Sequence, residues 1–140
     1  MSGGKRMDPL ERTRRFWLDG FNERDEAVVR DAIAAGFVNE AALPGTPDGP
    51  EGQVAVLRRI WAALPDARFE IEHLARDGEH VICIGTMSGT HRGEFFGVEA
   101  SDRRIAWRQC HIVTVDSAGR AIRHRAIRDD LGLIAQMRGD

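Results

Sequence analysis

The sequence predicts an α+β domain: a curved, mainly antiparallel sheet closing into a cone-shaped α+β barrel, with N-terminal helices packed on its concave side. Three observations carry this. Apolar residues recur at helical spacing up to Leu64, and from Ala67 onward the period changes to two. The later runs are separated by the turn sequences Arg76-Asp77-Gly78-Glu79 and Asp116-Ser117-Ala118-Gly119, which join neighbouring antiparallel strands rather than parallel ones. Helices first and strands afterwards is the pattern of α+β rather than α/β chains.

Residues 1–7 carry Lys5 and Arg6 without a following apolar run, so they read as a flexible tail and not a signal peptide; residues 8–140 form one domain. Asp8-Pro9-Leu10-Glu11 is a helix start, with Asp8 as cap and Pro9 in the first turn. Leu10, Trp17 and Phe21 lie along that helix; they fit a core, and a helix over a cavity can also present Trp17 and Phe21 to a ligand. A second helix is expected over residues 25–35, with Val28, Val29, Ala32 and Ile33 inward and Gly36 ending it. Phe37-Val38-Asn39 reads as a short extended piece, and the Pro- and Gly-rich residues 41–50 as a loop. Pro50 opens a third helix, Val54, Leu57, Trp61 and Leu64 form one stripe, and Pro65 stops it.

Ala67, Phe69, Ile71 and His73 then alternate with charged residues, as in a half-buried strand. Residues 81–90 are almost continuously apolar, a strand expected to be covered on both sides over part of its length. A loop with two glycines and two aromatics follows, in which His91 is expected to be exposed. A strand pair comes next, and Asp130 is expected to cap a last helix with Leu131, Ile134 and Met137 packed down.

At 140 residues the chain can bury a substantial core. Net charge is −2 and pI about 6.2, with 6% aromatic residues, so nothing suggests nucleic-acid binding. No apolar run approaches the roughly 18 residues of a membrane span. Cys83 and Cys110 lie outside any CxxC motif and read as reduced thiols of a cytoplasmic protein. The five histidines show no metal-ligand spacing, and no cofactor motif is present, so neither metal nor cofactor is expected.

In the strand pair, Trp107, Gln109, His111, Val113 and Val115 share one face, and Ile122, His124 and Ala126 share a face of the next strand. Gln109, His111 and His124 are polar among apolar neighbours. Such residues either have buried partners or belong to a site. A histidine with near-neutral pKa can act as general acid or base.

Particular stretches go further. The start Gly49-Pro50-Glu51-Gly52, the run Gly89-Thr90-His91-Arg92-Gly93-Glu94-Phe95-Phe96-Gly97 and the strand end Gln109-Cys110-His111 are three of them. The others are His124-Arg125, Asp129-Asp130-Leu131-Gly132-Leu133 and Gln136-Met137-Arg138-Gly139. Together they resemble the SnoaL-like polyketide cyclases, within the superfamily of ketosteroid isomerase, scytalone dehydratase and nuclear transport factor 2. The resemblance implies a cofactor-independent enzyme of polyketide or related secondary metabolism. It would act on a large apolar carbonyl-rich intermediate by enolate stabilisation and ring closure. It makes His111, Gln109 and Asn39 the counterparts of residues that bind the substrate's oxygens. Read together with strand alternation, His111 and Gln109 are expected to be catalytic and His124, inward beside the position of the family's base, to assist, while Asn39 and the aromatics Trp17, Phe21, Trp61 and Trp107 are expected to bind substrate. It also implies a homodimer. The family's base is an aspartate two residues after a histidine; here that position, after His124-Arg125, is Ala126, which cannot accept a proton. A hydroxylase-type or pericyclic relative, or a non-catalytic small-molecule binding protein, therefore stands beside the cyclase.

Overall fold

The computed structural model describes residues 6–140. Residues 1–5 of the expected tail lie outside the described residues, while Arg6 Nε donates to Ser117 O at 3.1 Å. Helix α1 spans Pro9–Arg15, and Asp8 caps it by accepting from the Leu10 and Glu11 amides. The helix runs on as one π-helical segment, Phe16–Phe21, which brings Trp17, Gly20 and Phe21 to the buried side. Helix α2 spans Glu26–Asp31, capped by Asp25, and α3 spans Gly49–Ala63.

The strands are β1 (Ile33–Asn39), β2 (Arg68–Asp77), β3 (His80–Thr90), β4 (Arg104–Val115) and β5 (Ala121–Arg128), and α4 (Asp130–Arg138) closes the chain. The sheet order is β1-β5-β4-β3-β2. All pairs are antiparallel except β1 with β5. Strand β1 departs from the expectation of a longer second helix. Ala32 terminates α2, and Ile33 and Phe37 are buried in a small apolar cluster with Ala32 and Ala121. Tertiary pairing with β5 outweighs the helical propensity of Ala34 and Ala35, and Gly36 lies within the strand rather than after a helix.

The core lies between the concave face of the sheet and the helices. It holds Trp17, Phe21, Val54, Leu57, Phe69, Met87 and Trp107 among others. Strand β3 alternates as far as Ser88, with Val81, Cys83, Gly85 and Met87 buried and the intervening residues half-exposed, and both sides are covered only at its end, where Gly89 and Thr90 are both buried. In β2 an irregularity between Ile71 and His73 shifts the phase, so Leu74 packs against the core and His73 faces solvent. A second irregularity, where Thr114 pairs with Arg123 but Val115 with Ala121, turns Ala121 inward and leaves Ile122 exposed.

Three further expectations change. His91 is fully buried, because its backbone N–H donates to Arg103 O and its carbonyl accepts from Ser101 and Asp102, so the 91–103 loop is folded around it. The cap of α4 is Asp129, which accepts from the Gly132 amide. Leu133 and Met137 form the inner side of that helix while Leu131 is 83% exposed, since positions 133 and 137 share a face that 131 does not.

The Gly49-Pro50-Glu51-Gly52 start has a steric basis. Gly49 has φ +81°, and a Cβ on Gly52 would overlap the Pro47 carbonyl oxygen. Gly52→Ala is accordingly expected to destabilise the fold by about 1–3 kcal/mol or more, measured as a lowered midpoint in urea unfolding.

Candidate functional site

A cavity opens between the concave face of the sheet and α1, β1 and α3, with an empty volume of about 880 Å³ counting the space at its mouth. Phe16, Trp17, Phe37, Met87 and Trp107 supply much of its apolar wall.

The wall is braced from below by a small residue. A Cβ on Gly85 would overlap the Phe69 ring, so the glycine lets that ring lie flat across the sheet. Phe69 stacks on Trp17, with ring centroids 3.9 Å apart, and Trp17 in turn lies 4.9 Å from the His111 ring.

The polar part of the cavity is one continuous chain of side chains. Gln109 Oε1 lies 2.6 Å from His111 Nε2, and His111 Nδ1 lies 2.8 Å from His124 Nε2. His124 Nδ1 lies 2.7 Å from Asn39 Oδ1, and Asn39 Nδ2 donates to Gln53 Oε1 at 3.0 Å. The Asn39 orientation is set by the backbone, since Oδ1 also accepts from the Ala41 amide. His124 Nδ1 must therefore carry a hydrogen. The two imidazoles are stacked, with centroids 5.1 Å apart.

The pairing of β4 with β5 explains the meeting. His111 sits opposite Ala126, and Val113 sits opposite His124. The two histidines are diagonal neighbours on one face, and Asn39 joins from β1, where it pairs with His124. A carboxylate at position 126 would stand directly beside His111.

Burial dominates the electrostatics. It pushes the His111 imidazole well below its ordinary pKa, with His124 and Arg128 adding in the same direction. Burial, then Arg128, lowers His124 to about 4. Burial, then Cys110, raises the Cys83 thiol to about 12, so Cys83, opposite His111 on β3, is a neutral thiol in the wall.

The positions of the sequence-selected residues divide as follows. His111, Gln109, His124, Asn39, Trp17 and Trp107 line the cavity. Phe21 and Trp61 do not; they pack on each other at 5.9 Å, and Phe21 is fully buried. Of the wall residues that sequence reasoning did not assign to the site, three carry charged or amide groups. Gln53 ends the polar chain. Arg128 lies over the Trp107 ring at 5.5 Å and pairs with Asp130, which also accepts from Trp107 Nε1. Arg12 is buried and pairs with Asp31 at 2.8 Å. The alternation His124, Ala126, Arg128 would have found Arg128; Gln53 and Arg12 carry no comparable signal. Among the described residues, no group of three or more His, Cys, Asp or Glu side chains could hold a metal ion.

A cone of helices on a curved sheet, with a small-molecule cavity between them, defines a large structural class. Within it, the family model for SnoaL-like polyketide cyclases matches residues 11–137. The chain belongs to the SnoaL-like polyketide cyclase family.

Solved structures agree on the fold. TsrD from Streptomyces laurentii superposes with a TM-score of 0.84 at 24% identity, covering 94% of this chain and 97% of that one. IdmH from Streptomyces antibioticus, for which a polyketide cyclase function has been suggested, gives 0.77 at 26%, covering 93% and 98%. AclR from Streptomyces galilaeus, for which a hydroxylase function has been suggested, gives 0.75 at 17%, covering 95% and 84%. No curated protein matches the sequence.

Two outcomes follow for the histidine pair. An unfolded histidine titrates near 6.5, so above about that pH neither state binds these protons and stability is at its plateau. As pH falls from about 6.5 towards 4, the unfolded chain takes up a proton that folded His124 does not, and about 3 kcal/mol is lost for this group alone. Urea midpoints measured across that interval are expected to fall, and His124→Asn is expected to flatten the decline. Ala126→Asp is expected to raise the His111 pKa, read by histidine NMR titration, because it sets an opposite charge beside the ring.

Proposed function

We propose that this protein is a cofactor-independent enzyme acting on an apolar, carbonyl-rich intermediate of polyketide or related metabolism, by enolate stabilisation and ring closure. One observation carries the reading: His111 and His124 are hydrogen-bonded to each other inside an aromatic-walled cavity whose lining, among the described residues, contains no aspartate or glutamate. The pair is then the proton acceptor that Ala126 cannot be.

With both imidazoles neutral, the pair can accept a proton from the carbon next to a substrate carbonyl. The C–H bond breaks, its electron pair delocalises onto the carbonyl oxygen as an enolate, and the proton rests on the pair. The developing negative charge raises the proton affinity of the imidazoles just where burial had lowered it. Gln109 and Asn39 orient substrate oxygens, and Arg128 contributes positive potential at one wall. The enolate carbon then adds to a second carbonyl of the same molecule, and the pair returns the proton to the new alkoxide.

The missing carboxylate also favours a second reading, an oxygen-inserting relative that needs no strong base. AclR, for which a hydroxylase function has been suggested, has this fold. We further propose a cytoplasmic homodimer joined through the convex face of the sheet, where Ile84, Cys110 and Ile127 pair across three strands and Ile127 is 70% exposed. Sedimentation velocity tests that assembly.

The enzymatic reading is tested by incubating the protein with aromatic polyketide esters in deuterated water. A ring-closed isomer bearing solvent deuterium is expected. An added oxygen selects the second reading, and binding without product selects a non-catalytic binding protein. His111→Ala is expected to reduce kcat by about 10²–10⁴-fold with a smaller effect on substrate affinity. Unchanged turnover in that variant would remove His111 from the mechanism.

A further inference from the structure

The hydrogen bonds of the polar chain can be counted. Three contacts, Gln109 to His111, His111 to His124 and His124 to Asn39, each need one hydrogen. The Asn39 oxygen cannot supply one, because the Ala41 amide fixes it as an acceptor. With Gln109 Oε1 turned towards His111, that contact cannot be supplied from the glutamine either. All three hydrogens must come from the imidazoles. Two neutral imidazoles carry two. The arrangement seen here therefore belongs to a pair that has gained one proton and is singly positive. A neutral pair requires the Gln109 amide to turn by about 180°, so that Nε2 donates to His111 Nε2. Protonation of the pair and orientation of Gln109 are one event.

The rest of the wall shows what would stabilise the charged arrangement. With its oxygen on His111, the Gln109 amide nitrogen has only the Met87 sulfur, 3.9 Å away, as a polar neighbour among the described residues. Sulfur is a weak acceptor. Gln109 is 4% exposed, so this is a buried donor without a good partner, on the cavity wall. The titratable groups facing the pair from the elements around it are Cys83 on β3, Arg128 on β5 and Arg12 on α1. Their counter-ions, Asp31 and Asp130, do not line the cavity. From β1 and α3 come the amides Asn39 and Gln53.

We propose that the cavity binds a flat, apolar ligand carrying one acidic group, a carboxylate or the enolate of a 1,3-dicarbonyl, and that the His111–His124 pair takes up one proton as the anion binds. The anion accepts from the Gln109 amide nitrogen, which the protonated pair turns towards it. The aromatic walls take the remainder of the ligand. This holds whether or not the site catalyses ring closure.

The probe is 2-naphthoate, with methyl 2-naphthoate as its uncharged counterpart. Calorimetry in buffers of different ionisation heat is expected to show uptake of one proton per naphthoate bound. The acid is expected to bind about tenfold or more tighter than the ester, and its affinity to weaken about tenfold per pH unit between about pH 6 and 8, as one linked proton requires. Nitrogen-15 NMR of labelled histidine locates the proton: the bound state should show hydrogens on three of the four ring nitrogens in the pair, and this reading needs no variant. His124→Asn keeps hydrogen-bonding capacity and should bind without proton uptake. Equal affinity for the ester, binding without uptake, uptake that persists in His124→Asn, or no naphthoate binding at millimolar concentration would each overturn the proposal. None of these readouts depends on turnover, so failure here and failure of the cyclase reading are distinguishable.

Discussion

The part-buried contact between His111 and His124 is the constraint around which this molecule is arranged. A buried imidazole, His111, and a part-buried one, His124, need partners, because an unpaired buried polar group costs about 1–3 kcal/mol. Each finds the other, and then an amide at each end: Gln109 on β4, and Asn39 on β1 backed by Gln53 on α3. The chain crosses three strands and a helix. It holds β1 at the edge beside β5 as a parallel strand in an otherwise antiparallel sheet, with Asn39 level with His124.

The apolar frame makes this polar chain possible and also sets its chemistry. Gly85 lets Phe69 lie on the sheet, Phe69 carries Trp17, and Trp17 closes over His111. That stack excludes the water that would otherwise keep the imidazoles near their ordinary pKa. The same walls leave a cavity rather than a filled core, because α1, β1 and α3 span the concave face without occupying it. Ala126 contributes by being small: it leaves the space beside His111 without charge, so a histidine pair takes the position where a carboxylate would dominate.

Family membership narrows the chemistry without fixing it, since one fold carries many reactions. What distinguishes this chain is the combination of a hydrogen-bonded histidine pair, two arginines in the wall whose counter-ions lie outside it, and no acidic group in the lining among the described residues. The arrangement has positive potential, an ability to gain a proton, and no competing anion. These properties suit a ligand that is, or becomes, negatively charged.

The sequence by itself determined the helix starts at Asp8 and Pro50, the turns at Gly78 and Gly119, the face shared by Trp107, Gln109 and His111, and the vacancy at Ala126. Each of these depends on neighbours within a few residues: a cap, a proline, a glycine in a turn, or alternation along one strand. Tertiary structure decided the rest. Strand β1 forms where local propensity favours helix, because pairing with β5 and burial of Phe37 outweigh it. His91 is buried because the loop it begins folds back onto its own backbone groups. Ile122 and Ala121 exchange faces because of an irregularity in pairing that alternation cannot register. Gln53 and Arg12 join the cavity, and Phe21 and Trp61 stay outside it, because helix spacing tells which side of a helix is buried but not whether that side meets packed core or open space. That distinction is made only where the curvature of the sheet brings distant elements together.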